Sequence, residues 1–227
     1  MKPTKLFILL IATLFVSCQR EAKPELDMST PSIAPADTTE SVYPAIPADS
    51  DDIDTRYVYA TANKDSLIIE NSFPRGGLKY RDAFGDEYVF AAFWSQIRNN
   101  TGNPVEISLN APGDPTPVPS SPGSNVYFVL PQEEMNSAKL SMMHFGLTNP
   151  DMMVQYDLGK PSSLQKVIPA GEARAFYMAT FYREGIKGRG RAGLSIKNDA
   201  FYYRVNDAEI EFGSISLKGL ELQTGSN

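Results

Sequence analysis

From Tyr57 onward the chain consists of short apolar runs, and this pattern limits the possible fold more than any other feature of the sequence. The runs are rich in Tyr, Phe, Val and Ile and are separated by Gly, Pro, Asn and Asp, which is typical of β-strands and turns. No long segment keeps the 3.6-residue period of an amphipathic helix. The pattern therefore predicts an all-β domain.

Twelve strands are predicted, and their short spacing favours an antiparallel β-sandwich. We also predict one helical turn over residues 131–135, because Pro131 suits the first position of a helix and Glu133 and Glu134 suit its first turn. Residues 99–102 and 169–172 contain residues suited to tight turns, so both are predicted to connect hairpins. The predicted strands are 57–61, 67–73, 87–98, 105–109, 126–130, 154–157, 164–168, 173–182, 191–197, 201–205, 208–212 and 214–222.

The predicted strand 87–98 differs from the others because both of its alternating sets of side chains are apolar. A strand with one face in water alternates apolar with polar residues, so this strand is predicted to be central and covered on both faces. An alternative is that Tyr88, Phe90 and Trp94 form an exposed aromatic platform, which would stack on a sugar ring or on a partner's side chain.

The amino-terminal residues form a separate segment. Lys2 and Lys5 precede an apolar stretch of eleven residues at 6–16, which is too short for a membrane-spanning helix of roughly 20 residues. This pattern predicts a secretion signal over residues 1–17. Cys18 is the only cysteine, and a single cysteine excludes an intramolecular disulfide.

The residues Phe15, Val16, Ser17 and Cys18 resemble the lipobox of bacterial lipoproteins, with phenylalanine where leucine is usual. The resemblance implies cleavage before Cys18, a lipid such as palmitate on its sulfur and a further acyl chain on its amino group. Several acyl chains together anchor a protein stably to a membrane. Because Gln19 stands where aspartate would retain a lipoprotein in the inner membrane, the resemblance also implies the outer membrane, on its periplasmic face.

Residues 18–56 contain many Pro, Ser, Thr and Ala residues and almost no large apolar side chains. Between residues 19 and 56 there are nine acidic side chains and three basic ones. Such a segment cannot repay the entropy of ordering, so we predict a disordered acidic linker that holds the domain away from an anionic membrane. Alternatively the linker is a recognition site, because residues 37–39, like residues 65–67, resemble an O-glycosylation signal of Bacteroidetes.

We predict that residues 57–222 form the β-sandwich and that residues 223–227 form a flexible tail. Residues 97–107 look like a strand-turn-strand unit of immunoglobulin-like bacterial envelope domains, and residues 168–172 are similar to a turn that those domains often carry. The chain therefore resembles Bacteroidetes envelope lipoproteins with an immunoglobulin-like β-sandwich. A shared fold transfers no function by itself.

The net charge of -6 argues against nucleic acid as a partner, because clustered Lys and Arg drive phosphate binding. With one histidine, His144, and no nucleophile elbow or cofactor fingerprint, we predict a non-enzyme without a cofactor. The predicted function is a lipid-anchored binding module whose partners are the membrane and another envelope protein or a glycan. An alternative is a carbohydrate-binding or carbohydrate-active protein that uses Tyr88, Trp94, Tyr202 or Tyr203. Acidic residues available for a paired-carboxylate mechanism are Asp82, Asp86, Glu87, Glu133, Glu134 and Glu172.

Two further clusters are candidate sites. The loop 185–193 places Lys187, Arg189 and Arg191 among four glycines, which suits an anion such as phosphate or a carboxylate. A flexible basic hairpin is the alternative for this loop. The second cluster suits Cu(I), which prefers thioether and imidazole ligands, although methionine also fills protein cores. Its residues are Met142, Met143, His144, Met152 and Met153.

Overall fold

The computed structural model describes residues 44–61, 65–183, 190–216 and 222–223, all within the unit Ser41–Asn227. These residues form strands in two antiparallel sheets, and this confirms the predicted all-β architecture. The strands are β1 (Ile53–Thr61), β2 (Ser66–Ser72), β3 (Arg75–Arg81), β4 (Glu87–Asn100), β5 (Val105–Ala111), β6 (Thr116–Pro117), β7 (Asn125–Val129), β8 (Glu134–Met135), β9 (Ser162–Ile168), β10 (Ala173–Tyr182), β11 (Ala192–Lys197), β12 (Ala200–Val205), β13 (Ala208–Ser216) and β14 (Leu222–Gln223). Two 3₁₀ segments, Ser137–Lys139 and Met143–Gly146, and helix α1 (Pro150–Tyr156) lie between β8 and β9.

The larger sheet has nine strands and the smaller sheet has five in the part of the chain that the structure describes. The path of the larger sheet is β14-β1-β2-β4-β10-β7-β6, with β3 paired to β4 and β8 paired to β10. The order in the smaller sheet is β11-β12-β13-β5-β9. Strand β4 is central, because β10 follows one of its edges while β2 and β3 share the other edge in succession.

The turns at residues 99–102 and 169–172 carry the chain from one sheet to the other. They lead from β4 to β5 and from β9 to β10, so the prediction that they connect hairpins is wrong. Asn99 is fully buried at this corner, and its Nδ2 donates to the carbonyl oxygens of Asn103 at 2.8 Å and Ile168 at 2.9 Å. One buried amide therefore satisfies main-chain acceptors of both connections.

The first core fills the space between the two sheets. Phe93 and Ile97 of β4 lie in this core together with Leu109 of β5, Leu194 of β11 and Phe201 of β12. These side chains come from both sheets, so burial of their apolar surface, worth about 25 cal/mol per Å², holds the two layers together.

Asn71 of β2 joins the two sheets along one side. Its buried Nδ2 donates to the carbonyl oxygen of Leu194 at 3.0 Å, and its Oδ1 accepts the N–H of the same residue at 2.8 Å. Oδ1 also accepts a hydrogen bond from Ser95 Oγ at 2.7 Å. Because Leu194 lies on β11, an edge strand of the smaller sheet, the Asn71 amide satisfies main-chain groups that have no neighbouring strand there.

A second core covers the opposite face of the larger sheet. Phe90 and Trp94 of β4 and Tyr177 of β10 lie in this core, beneath Phe145 and Met153 from the segment between β8 and β9. Alternate side chains of β4 thus enter two different cores. The prediction that this strand is central and covered on both faces is confirmed.

The segment that provides much of this cover was predicted incorrectly in two places. Residues 154–157, predicted as a strand, overlap helix α1, which begins at Pro150 with Asp151 in its first turn; proline and an acidic residue both favour a helix start. Residues 131–135, predicted as a helical turn, include strand β8. The pairing of Met135 with Ala175 of β10 overrides the local helical signal there.

The folded domain begins before the predicted boundary at residue 57. Strand β1 begins at Ile53, and Ile46 is fully buried in the second core. We call residues 44–52 the N-terminal strap. The prediction of a disordered linker is therefore wrong for residues 44–56, because contacts with distant residues order a segment whose composition indicates disorder. Residues 1–43, including Cys18, lie outside the described residues.

Candidate functional site

The three aromatic residues predicted to form an exposed platform are buried. Phe90 and Trp94 have no exposed surface, and Tyr88 is 5% exposed. The ring of Phe145 meets Trp94 edge-on with 6.4 Å between centroids, and the ring of His144 meets Phe90 with 4.8 Å between centroids. The platform prediction is wrong, because the segment carrying His144 and Phe145 covers this face of β4.

Four of the other residues considered for carbohydrate chemistry make structural contacts. Tyr203 is buried in the first core, where burial raises the pKa of its hydroxyl. Asp82 Oδ1 accepts the N–H of Asp86 at 2.9 Å within the turn between β3 and β4. Glu87 forms an ion pair with Lys79 at 2.6 Å, and this partner lowers the pKa of the Glu87 carboxyl. These acids therefore stabilise a turn and a strand pair.

The basic loop is described only at its end. Lys187 and Arg189 lie outside the described residues. Arg191 is exposed, and its backbone N–H donates to Asn206 Oδ1 at 2.9 Å, which ties the end of the loop to the turn between β12 and β13. Anion binding by the loop remains a prediction.

The predicted copper ligands divide between the surface and the interior. Met142, Met143 and Met152 are exposed, whereas His144 and Met153 are buried. Burial lowers the pKa of the His144 imidazole, so its neutral form is favoured at neutral pH. Within the described ranges, no group of three or more His, Cys, Asp or Glu side chains could hold a metal ion. Copper binding by methionine and histidine remains a prediction.

Three consecutive residues near these methionines have left-handed backbone conformation. His144, Phe145 and Gly146 have φ values of 51°, 56° and 71°, and we call them the left-handed turn. A left-handed conformation costs a residue with a side chain roughly 1–2 kcal/mol, and such residues usually occur singly. Only Gly146 adopts it without a steric penalty. The surrounding residues must therefore stabilise His144 and Phe145.

Tyr177 of β10 stabilises the left-handed turn from below. Its hydroxyl donates to the carbonyl oxygen of Phe145 at 2.6 Å, and both groups lie in the second core. Burial raises the pKa of Tyr177 well above its usual value, and the charge of Glu133 adds to this shift. The hydroxyl therefore stays protonated and remains a donor over the physiological pH range.

Arg75 of β3 stabilises the same turn from the side. Its Nη1 donates to the carbonyl oxygens of Leu140 and of Met142, the latter at 3.0 Å. Its guanidinium carbon lies 4.2 Å from the centroid of the Phe145 ring, within the range of a cation–π interaction. Its Nη2 pairs with Asp52 Oδ1 at 2.7 Å. One side chain thus connects β3, the N-terminal strap and the left-handed turn.

Five exposed apolar side chains lie on the elements around this turn. Strand β3 contacts both helix α1 and the segment of the left-handed turn. Burial raises the pKa of the Tyr80 hydroxyl on β3, and the charge of Asp151 at the start of α1 adds to this shift. We call the exposed apolar side chains of these neighbouring elements the methionine surface. Its residues are Leu78, Met142, Met143, Met152 and Tyr156.

The sequence alone indicated part of this surface. The methionine pairs at 142–143 and 152–153 were visible in the sequence. Their spacing does not show that three of the four methionines are exposed. The role of Arg75 was missed, because its partners lie as many as 67 positions away in the sequence. The left-handed turn was missed as well, since a bulky residue such as Phe145 rarely adopts positive φ and the enrichment of His at positive φ does not by itself identify a turn.

Comparison of the chain with protein-family models, with curated proteins and with solved structures finds no match. The described residues include no helix long and apolar enough to cross a membrane. The fold and the surface define the class of protein as all-β, with two facing antiparallel sheets and a methionine surface on the cover of the larger sheet.

Proposed function

We propose that this chain is a lipid-anchored protein of the bacterial cell envelope whose all-β domain is a binding module without catalytic activity. The apolar signal and the lipobox-like residues ending at Cys18 support a lipid anchor, and Gln19 supports its location in the outer membrane on the periplasmic face. Residues 19–43 lie between Cys18 and the strap, and even fully extended they would span at most about 90 Å. The domain would thus act within that distance of the membrane.

The methionine surface is the observation that carries the binding function. Exposed apolar side chains gathered on neighbouring elements can form an interaction site. Methionine side chains are unbranched and polarizable, so they adapt to the shape of a partner. The left-handed turn beneath them is held by Arg75 and Tyr177, which gives the surface a rigid support. The partner that we propose is another envelope protein with exposed apolar side chains.

A partner could also bind by pairing a strand with the outer edge of β3, but this edge is less suited to binding than the side chains of the methionine surface. The register of β3 against β4 shifts between Gly76 and Lys79, and Gly77 has a φ of 93°. The strand also carries Lys79 and Arg81. Bulges and cations on an edge strand hinder pairing with a further strand. Binding through side chains is therefore the mode that we propose.

The finer fold that we propose is immunoglobulin-like. Two antiparallel sheets that share one core support this proposal, as does the corner at Asn99, where connections between the sheets meet. Determining the strand connectivity experimentally, including the residues outside the described ranges, would test it. A connectivity without the Greek-key crossings of that fold would contradict the proposal.

Anchoring is tested by labelling cells with a fatty-acid probe. The wild-type chain should incorporate the label and fractionate with the outer membrane, whereas Cys18→Ala should do neither. An unlabelled wild-type chain would contradict the proposed anchor. It would not bear on the proposed binding surface, which the next experiment tests.

The binding surface is tested by cross-linking in cells followed by quantitative mass spectrometry. Met143→Glu and Met152→Glu place charges on the methionine surface and should lose most of the cross-linked partner. Val167→Glu is the matched control, because Val167 is an equally exposed apolar residue on β9 of the smaller sheet. Equal recovery of the partner by all three variants would contradict the proposed contact.

Copper handling is the second candidate, favoured by the exposure of three thioether side chains on neighbouring elements. Titration of the purified chain with Cu(I) against a chromogenic chelator tests it. Binding that Met142→Leu, Met143→Leu and Met152→Leu each weaken would support copper. Binding unchanged by all three variants, or no competition with the chelator, would contradict this role.

A further inference from the structure

The sulfur of Met142 lies against the left-handed turn. A Cβ atom placed on Gly146 would be 2.9 Å from Met142 Sδ, so the space between the sulfur and the glycine is already filled. The aliphatic part of Lys139 lies on the same side of Gly146, 3.3 Å from that position. Met142 is nevertheless 51% exposed, so a small solute can reach its side chain.

We propose that Met142 is a redox-sensitive residue, and that its oxidation to the sulfoxide by hydrogen peroxide releases the left-handed turn. In this reaction a lone pair of the Met142 sulfur attacks one peroxide oxygen. The S–O bond forms as the O–O bond breaks. Sulfur loses two electrons, and the second peroxide oxygen leaves as water after proton transfer. The product side chain is polar and carries one additional atom.

The position of Met142 explains why oxidation would act on the turn. The sulfoxide oxygen needs room and hydrogen-bond partners, whereas the sulfur now fills a gap beside Gly146. The Met142 carbonyl oxygen also accepts hydrogen bonds from Phe145 N–H at 3.1 Å and from Arg75 Nη1 at 3.0 Å. Movement of the side chain would therefore disturb the hydrogen bonds that hold two left-handed residues in an unfavourable conformation.

Two neighbouring methionines provide an internal comparison. Met143 is 67% exposed and Met152 is 48% exposed, so peroxide should oxidise both. Oxidation of these residues would make the methionine surface more polar without adding an atom at Gly146. Release of the left-handed turn is therefore expected from oxidation of Met142 and not from oxidation of Met143 or Met152.

Trp94 provides the optical readout. It is the only tryptophan, it is fully buried, and the Phe145 ring meets it edge-on. Release of the turn would admit water beside the indole and shift its emission to longer wavelength. Hydrogen exchange at Phe145 and Leu147 gives a second readout, because their N–H groups donate to the Met142 and His144 carbonyl oxygens.

The experiment treats the purified full-length chain, in detergent micelles, with hydrogen peroxide. Peptide mass spectrometry follows sulfoxide at each methionine, while Trp94 emission and hydrogen exchange are followed in parallel. The emission shift and the loss of protection at Phe145 should rise with the Met142 sulfoxide. Met142→Leu preserves an apolar side chain of similar volume and should abolish both responses, whereas Met143→Leu should leave both unchanged.

A polar substitution tests the same step without an oxidant. Met142→Gln should shift Trp94 emission to longer wavelength before peroxide is added. The inference is overturned if Met142 is oxidised with no change in emission or exchange, if Met142 resists oxidation while Met143 reacts, or if Met142→Leu responds as the wild type does. None of these outcomes involves a partner, so this inference can fail or stand independently of the proposed binding function.

Discussion

The side-chain amide of Gln96 makes the pair of hydrogen bonds to Ile46 that a neighbouring strand would otherwise provide. Gln96 Oε1 accepts the N–H of Ile46 at 2.8 Å, and Nε2 donates to the Ile46 carbonyl oxygen at 2.9 Å. Nε2 also donates to the buried Glu70 Oε2 at 2.9 Å, and Arg98 Nη2 donates to the Ile46 oxygen at 3.0 Å. These contacts fasten the N-terminal strap to the larger sheet.

Removing this amide should detach the strap. Gln96→Ala leaves the buried N–H of Ile46 without its acceptor and leaves Glu70 Oε2 with only the longer contact to Arg98 Nη2 at 3.5 Å, so we expect the free energy of unfolding to fall by roughly 2–4 kcal/mol. Urea denaturation measures this loss, and hydrogen exchange at Ile46 should accelerate. Asn100→Ala is the control, because that amide bonds Ser66 Oγ at the surface. Unchanged protection at Ile46 in Gln96→Ala would contradict the role of the amide.

Replacing Arg75 tests the side support of the left-handed turn. Lysine keeps the charge but cannot reproduce the planar group that bonds two carbonyl oxygens and covers the Phe145 ring. Arg75→Lys should therefore lower the free energy of unfolding by about 2 kcal/mol, measured by urea denaturation. Arg81→Lys should behave like the wild type, because Arg81 is highly exposed and its nearest acid, Glu87, is 3.5 Å away. Equal stability of both variants would argue against a special role for Arg75.

The single histidine makes stability depend on pH in a defined range. Burial lowers the pKa of His144 below its usual value of 6.5, so the unfolded chain binds this proton more tightly than the folded chain. The free energy of unfolding should therefore fall as the pH decreases through 6.5 towards the folded-state pKa. NMR titration of the imidazole gives that pKa directly. His144→Asn, which tolerates positive φ, should lose this dependence; a folded-state pKa of 6.5 or above would refute the prediction.

Gly213 allows β13 to pass close to β5. Its φ is 146°, and an added Cβ atom would lie 1.9 Å from the Ser108 carbonyl oxygen. Gly213→Ala should lower the free energy of unfolding by about 3 kcal/mol or more, because the clash is with main chain and the conformation is strained. Gly102→Ala meets nothing within 4 Å and should unfold at nearly the wild-type urea concentration. A Gly213→Ala variant as stable as Gly102→Ala would contradict this explanation.

The strands were largely predictable, whereas the surroundings of their side chains were not. The apolar character of both sets of side chains in β4 correctly indicated two covered faces, because it is visible in neighbouring residues. The same pattern could not exclude an exposed aromatic platform at Trp94, since the residue that covers this side chain, Phe145, lies far along the chain. The glycine-containing strand β3 was missed, because its sequence carries few apolar residues and its pairing with β4 forms it.

By itself, the sequence determined the all-β class and most of the strand positions, because side-chain alternation and turn residues act over a few neighbouring positions. Only the tertiary structure decided that residues 44–52 belong to the domain, that the turns at Asn99 and Pro169 pass between sheets, and that Met142, Met143 and Met152 are exposed while Met153 is buried. These features depend on contacts across long sequence separations, such as the 50 positions between Gln96 and Ile46 and the 32 between Tyr177 and Phe145. Such contacts form only when distant parts of the domain have come together.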